Sequence, residues 1–260
     1  MKRFILFSIF CFVQMLTCFS YANSGRLYTS NDLSSSLIRC IIQDKYGFIW
    51  VGTNFGLNRF DGYKFCTYLC NPADTTTIQD NDIVKLYPYS KEFLFVATNR
   101  GLYKYSYLTN SFQHIVLEKK DEKIRISSLI EDGKHNLLIG TSGYGAYRLD
   151  MTTGKVTRLS RKSANSVDDF FAMLFFDDEG YLWQANHTKV LRKYKYNGKS
   201  IKLVSVYEPK GLFSVCKLYA ADKKGFFVAH VGGIMRYDYA SHRFSRYDFD
   251  FSSHQGAGYI

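Results

Sequence analysis

A repeat of about 44 residues constrains this chain more than any other feature. Five short apolar segments each end on a small residue followed by a polar one. They are Trp50-Val51-Gly52-Thr53, Phe95-Val96-Ala97-Thr98, Leu138-Ile139-Gly140-Thr141, Trp183-Gln184-Ala185-Asn186 and Val228-Ala229-His230. The small residues Gly52, Ala97, Gly140, Ala185 and Ala229 are spaced 45, 43, 45 and 44 apart. A second column keeps the register: Phe60, Tyr105, Leu149, Tyr194 and Tyr237 follow, with Asp61, Asp150 and Asp238 directly behind in three units. Gly56, Gly101, Gly145 and Gly233 fall between the columns, and the fourth unit has Lys189 and Val190 there instead.

Each unit divides into four short strands. An apolar run precedes the small-residue segment (38–42, 83–86, 126–130, 171–175 and 215–219), and a further strand follows the aromatic column near Phe65, Phe112, Val156, Ile201 and Phe244. Between the first two strands lie Asp44-Lys45-Tyr46-Gly47, Glu131-Asp132-Gly133, Asp178-Glu179-Gly180 and Asp222-Lys223-Lys224-Gly225. Asp folds back on the turn and Gly accepts positive φ there, which is hairpin chemistry. Apolar runs this short, bounded by Asp and Gly, exclude a helical repeat. The fold class is therefore all-β: a β-propeller of four-stranded antiparallel blades, about five of them. The blades are placed at 33–70, 80–117, 124–160, 168–206 and 212–250, within a propeller spanning 23–260. The small residues are assigned to inner strands crowded near the propeller axis. The 22 Phe and 21 Tyr supply the wedges between blades, each ring burying about 150–250 Å².

Lys2 and Arg3, an apolar run from Phe4 to Phe19, and Ser20-Tyr21-Ala22 have the layout of a signal peptide cut after Ala22. Its removal leaves 238 residues and lowers the net charge from +11 to +9. It also removes Cys11 and Cys18. Cys40, Cys66, Cys70 and Cys216 remain, too sparse for a disulfide-stapled domain, and are read as reduced or partly buried thiols.

The usual enzyme motifs are absent: there is no G-x-S-x-G, H-E-x-x-H, P-loop or G-x-G-x-x-G. Gly140-Thr141-Ser142-Gly143-Tyr144-Gly145 is glycine-rich, but no helix follows it, so it reads as a turn between strands. The histidines show no metal-ligand spacing, and no metal or cofactor is implied. The carboxylate pairs Asp168-Asp169, Asp177-Asp178 and Asp248-x-Asp250 do not make a glycosidase argument, since Asp177-Asp178 is accounted for by its turn. Basic residues alternate with aromatics on strands (Tyr103-Lys104-Tyr105, Arg192-Lys193-Tyr194-Lys195-Tyr196), the pattern of a solvated strand face rather than a nucleic-acid footprint. An anionic partner remains electrostatically favourable. His187 and His230, at or beside strand ends that would face a central channel, and Tyr144 are the ligand-contact candidates, next to exposed loop aromatics Tyr46, Phe55 and Tyr63.

The first unit, Ile41-Ile42-Gln43-Asp44-Lys45-Tyr46-Gly47-Phe48-Ile49-Trp50-Val51-Gly52-Thr53 through Gly56-Leu57 and Arg59-Phe60-Asp61-Gly62, resembles the two-component regulator propeller repeat. Leu33 to Ile38 resembles the lead-in to that family's first blade, and Asn71-Pro72-Ala73-Asp74 its first loop between blades. The likeness extends over roughly residues 27–250 and weakens in units four and five, where Asn186 and His230 replace Thr. The resemblance implies the periplasmic sensor region of a Bacteroides-type hybrid two-component system. Such proteins carry seven-bladed propellers, a membrane anchor, a histidine kinase and a DNA-binding part. It further implies sensing of glycan fragments and control of polysaccharide-utilisation genes. Seven blades need about 310 residues, so the chain is expected to be a truncated product or a cut-down relative. The expected partners are an oligosaccharide, the remaining blades or a second propeller of a longer protein, and a second copy as homodimer. The alternative is a free-standing exported propeller acting as a glycan- or protein-binding scaffold. Neither reading makes this chain an enzyme.

Overall fold

The computed structural model describes residues 32–118, 123–160, 170–186, 188–212 and 214–247. The signal segment 1–22, His187, His254, Asp168-Asp169 and Asp248-x-Asp250 lie outside them. Among the described residues, twenty strands form five separate four-stranded antiparallel sheets, each paired in chain order. The first blade holds β1 (Ile38–Gln43), β2 (Ile49–Thr53), β3 (Gly56–Phe60) and β4 (Phe65–Tyr68). The second holds β5 (Ile83–Pro88), β6 (Phe93–Thr98), β7 (Leu102–Ser106) and β8 (Ser111–Ile115). The third comprises β9 (Ile126–Glu131), β10 (Asn136–Thr141), β11 (Ala146–Asp150) and β12 (Val156–Arg158). The fourth has β13 (Met173–Phe176), β14 (Tyr181–Ala185), β15 (Leu191–Tyr196) and β16 (Ile201–Tyr207). The fifth has β17 (Val215–Asp222), β18 (Gly225–His230), β19 (Gly233–Asp238) and β20 (Arg243–Arg246). Among the described residues no helix is long and apolar enough to cross a membrane.

The first strand of every blade is the inner one: β1 lies beside β5, β5 beside β9, β9 beside β13 and β13 beside β17. This corrects the sequence expectation, which placed the small-residue segments innermost. Those segments are the second strands β2, β6, β10, β14 and β18. The demand for a small side chain has a different cause. Gly52 pairs with Cys40 on β1, and a Cβ on Gly52 would sit 2.6 Å from Cys40 Sγ and 2.6 Å from Ile83 Cγ2 of the next blade. A Cβ on Gly140 would come within 2.3 Å of the Phe171 carbonyl oxygen. The column is small because the following blade's inner strand is pressed onto it. In the fifth blade, Gly225 is also not the positive-φ turn residue the sequence suggested. It pairs with Asp222 and Asp238 inside the sheet, with the Tyr237 carbonyl only 2.0 Å from where its Cβ would be.

The wedges between blades are aromatic. Trp50 is fully buried and meets Tyr105 of the second blade edge-on at 5.1 Å between centroids. Trp183 repeats the arrangement with Phe226 and Tyr237 of the fifth blade, both at 4.9 Å. Such pairs contribute roughly 0.5–1.5 kcal/mol beyond the area they bury.

A β-bulge recurs where each inner strand begins. Ile38 pairs with Thr53 but Cys40 with Gly52, leaving Arg39 as an extra residue. Val84, Ser127 and Cys216 are extra in the same way on β5, β9 and β17, and Ala172 holds the equivalent position just before β13. A bulge bends its strand and re-aims the side chain that has no partner.

Candidate functional site

Four of these five bulge-column residues, Val84, Ser127, Ala172 and Cys216, line one cavity of about 640 Å³. The rest of its wall comes from Lys85 and Met173 on inner strands and from Arg125, Ser142, Phe170, Asn186 and Thr188 at strand ends. It is thus built from the second to the fifth blades, at the end of the inner strands where the bulges lie.

The wall is rigidly tied across blades. Phe171 donates its N–H to the Thr141 carbonyl (2.9 Å), Ser127 Oγ donates to the Phe171 carbonyl (2.8 Å), and Ser142 N–H donates to the Arg125 carbonyl (3.1 Å). Gln184 Nε2 donates to the Phe170 carbonyl at 2.7 Å. With its main chain bonded, Phe170 is 46% exposed beside the cavity. An exposed aromatic face next to hydroxyls and amides is a surface on which a sugar ring can stack while its hydroxyls are bonded.

Asn186 occupies the position that is Thr in the first three blades. Thr53, Thr98 and Thr141 each donate Oγ1–H across their own hairpin, to Gly56, Gly101 and Gly145 carbonyls at 2.9, 3.1 and 2.6 Å. Asn186 is 3% exposed and instead accepts on Oδ1 from the N–H (3.1 Å) and hydroxyl of Thr188. Its Nδ2 has no hydrogen-bond partner among the described residues. A buried amide N–H left without an acceptor costs about 1–3 kcal/mol, so it is a donor awaiting one.

Two cations complete the wall, and among the described residues no carboxylate lines it. Burial, and then the Lys217 ammonium, hold the Lys85 ammonium below its ordinary pKa. Cys40 follows the first bulge as Lys85 follows the second, and burial pushes its thiol up to about 11. All four described cysteines are free.

The sequence candidates fall elsewhere. His230 ends β18 and accepts the Gly232 N–H on Nδ1 at 3.0 Å, closing its own hairpin, and is not part of the cavity wall. Tyr144 is half-buried against the core of the third blade. Tyr46, Phe55 and Tyr63 are exposed on loops away from this wall. Tyr46 instead borders a shallow cavity of about 800 Å³ on the first and second blades, where Arg59 is already engaged with the Tyr105 hydroxyl at 3.1 Å. Of the residues that do converge, Lys85, Arg125, Phe170 and Asn186, only Asn186 breaks a column with a common residue, replacing the Thr of the first three blades. That irregularity was the available signal.

Five four-stranded antiparallel blades with inner first strands define a β-propeller. Within that class, residues 32–55 match the two-component regulator propeller repeat. Over 82 residues it is 39% identical to a histidine kinase of Formosa agariphila, a stretch covering 30% of this chain and 6% of that protein. It also superposes on the extracellular domain of a hybrid two-component system of B. thetaiotaomicron, with TM-score 0.72 and 23% identity, covering 85% of this chain and 31% of that one. A second such domain from the same organism gives TM-score 0.61 and 19% identity, covering 83% and 30%. The chain therefore spans under a third of the length of the relatives it matches.

Proposed function

We propose that this chain is a non-enzymatic sensory propeller of an exported two-component regulator, and that the cavity at the bulged ends of its inner strands receives an oligosaccharide fragment. The observation that carries the reading is the pairing of the exposed Phe170 ring with the unpartnered Asn186 amide on one wall. The similar extracellular domains of two-component systems support the sensory role. In the whole regulator, ligand capture outside the cell would bias a kinase inside it and so control genes for polysaccharide use.

A second observation favours a partner beyond this chain. Ile41 is 58% exposed, whereas its equivalents Leu86, Leu129, Leu174 and Leu218 are 6–8% exposed, each buried against the preceding blade. The first blade thus presents a face shaped for another blade, which we assign to the rest of a longer propeller protein rather than to a free-standing scaffold.

The test is a melting-temperature screen of the purified full chain against a panel of plant and algal oligosaccharides. A hit is expected to raise Tm by several degrees and to be lost in Phe170→Ala, which removes an exposed ring and leaves the fold intact. A panel without any hit, or a hit indifferent to Phe170→Ala, overturns the assignment.

A further inference from the structure

We infer that the ligand of this cavity is anionic: a saccharide bearing a carboxylate or sulfate, whose charged group is held by Lys85, Arg125 and the Asn186 amide. This deepens the saccharide reading above and rests on it.

The charge distribution carries the inference. Lys85 and Arg125 face the cavity, and among the described residues no Asp or Glu does. Neither side chain has a hydrogen bond or ion pair with the described residues, although the neighbouring Arg39 does: it pairs with Asp82 at 3.2 Å. Elsewhere partly buried cations have partners: Arg158 has Glu118 (2.6 Å), Lys193 has Glu179 (3.1 Å) and Arg59 has the Tyr105 hydroxyl (3.1 Å). At the cavity that compensation is missing, and the nearby Lys217 ammonium adds repulsion to the desolvation of Lys85. Lys85, partly buried and unneutralised, is a standing electrostatic cost that an incoming anion removes, and the exposed Arg125 adds a second positive charge at the rim.

The neutral donors point the same way. The Asn186 Nδ2 group is a donor without an acceptor, and it exists because Asn replaces the Thr that would have satisfied itself within the hairpin. Lys85 likewise stands where the third blade has Ser128, whose hydroxyl accepts the Leu174 N–H at 3.1 Å. Asn186 departs from its column and Lys85 occupies one that varies from blade to blade (Cys40, Ser128, Met173, Lys217); both put donors on the cavity wall. A neutral sugar presents hydroxyls that both give and accept, whereas a carboxylate or sulfate only accepts and matches a wall of donors. Phe170 supplies the stacking face beside them.

The experiment is calorimetric titration of the full chain with four probes: digalacturonate, its methyl ester, a monosulfated disaccharide and the same disaccharide without sulfate. At least one anionic probe is expected to bind, with its neutral counterpart at least tenfold weaker and with affinity falling as salt is raised. Binding of the ester and the free acid distinguishes carboxylate from sulfate as the source of charge. Lys85→Ser and Asn186→Thr restore residues that other blades carry at the same positions, so the fold is kept. Each is expected to weaken the anionic probe about tenfold while leaving Tm without ligand near that of the parent. Equal binding of neutral and charged partners, unmoved by salt or by Lys85→Ser, overturns the anionic inference and leaves the saccharide reading standing. No binding of any of the four probes overturns the anionic inference as well, and a blank oligosaccharide panel then separately removes the reading beneath it.

Discussion

Asp177 accepts a hydrogen bond from the Trp183 indole N–H at 2.6 Å, and in the first blade Asp44 accepts the same bond from Trp50, also at 2.6 Å. Each aspartate also holds its own turn: Asp177 accepts the Tyr181 N–H at 2.8 Å, and Asp44 accepts the N–H groups of Tyr46 and Phe48 at 2.8 and 3.0 Å. One side chain thus fixes the hairpin and orients the largest ring of the wedge against the next blade. The two blades with Trp are the two that use it.

Removing that carboxylate from the fourth blade should cost about 1–3 kcal/mol, because it strands a buried indole N–H, while Lys193 keeps Glu179 at 3.1 Å. Urea unfolding of Asp177→Ala, followed by Trp fluorescence, measures this. Asp177→Asn keeps an acceptor for the turn and should lose less. A loss under about 0.5 kcal/mol in Asp177→Ala would mean the wedge orients without the bond.

Gly140→Ala should destabilise by about 1–3 kcal/mol, since the new methyl meets the Phe171 carbonyl, which is backbone and cannot rotate away. The same change is already present as Ala97, Ala185 and Ala229 in three other blades. The cost is therefore local to the spacing of the third and fourth blades. Thermal unfolding of the variant with an intact circular-dichroism spectrum decides the matter.

The exposed first-blade face makes a within-repeat comparison. Leu174→Ala should cost about 2–4 kcal/mol, the usual penalty for a buried leucine. Ile41→Lys should stay within about 0.5 kcal/mol, because its equivalent surface is open here. Sedimentation of the parent and of Ile41→Lys provides the second readout: the apolar face should drive self-association that lysine removes.

Acidification should destabilise the chain below about pH 4. The main-chain N–H groups of Lys64 and Tyr63 hold the Asp61 carboxyl below the usual range; Thr153 does so for Asp150 and Ser241 for Asp238. A carboxyl whose folded pKa is depressed contributes stability above its unfolded pKa and loses it as pH falls through the folded value. The triple change Asp61→Asn, Asp150→Asn and Asp238→Asn should flatten the acid limb of a Tm–pH profile, since Asn keeps the acceptor without titrating. An unchanged limb would assign acid sensitivity to other groups.

The repeat made the fold legible. The small, aromatic and turn-aspartate columns place four strands per unit, and those strands are present with the expected order. The aspartates of the aromatic column do cap the turns that follow them. The site was not legible in the same way. His230 and Tyr144 were chosen for being polar or aromatic near strand ends, yet each is consumed locally, by its hairpin or its own core. The bulge column Arg39, Val84, Ser127, Ala172 and Cys216 is as regular in spacing as the others but shares no side-chain chemistry, so composition gives no trace of it.

What the sequence determined by itself was the local grammar of the blades: strand length, turn type, and the positions that had to be small or aromatic. These follow from short-range sterics and hydrogen bonding that recur in every unit. Only the tertiary structure decided which strand lies innermost, why Gly52 and Gly140 are small, and which side chains meet. Lys85, Arg125, Phe170 and Asn186 come from three different blades and touch one cavity only because the inner strands of neighbouring blades pack side by side and bring these strand ends together. That convergence depends on distances between units, which no single repeat encodes.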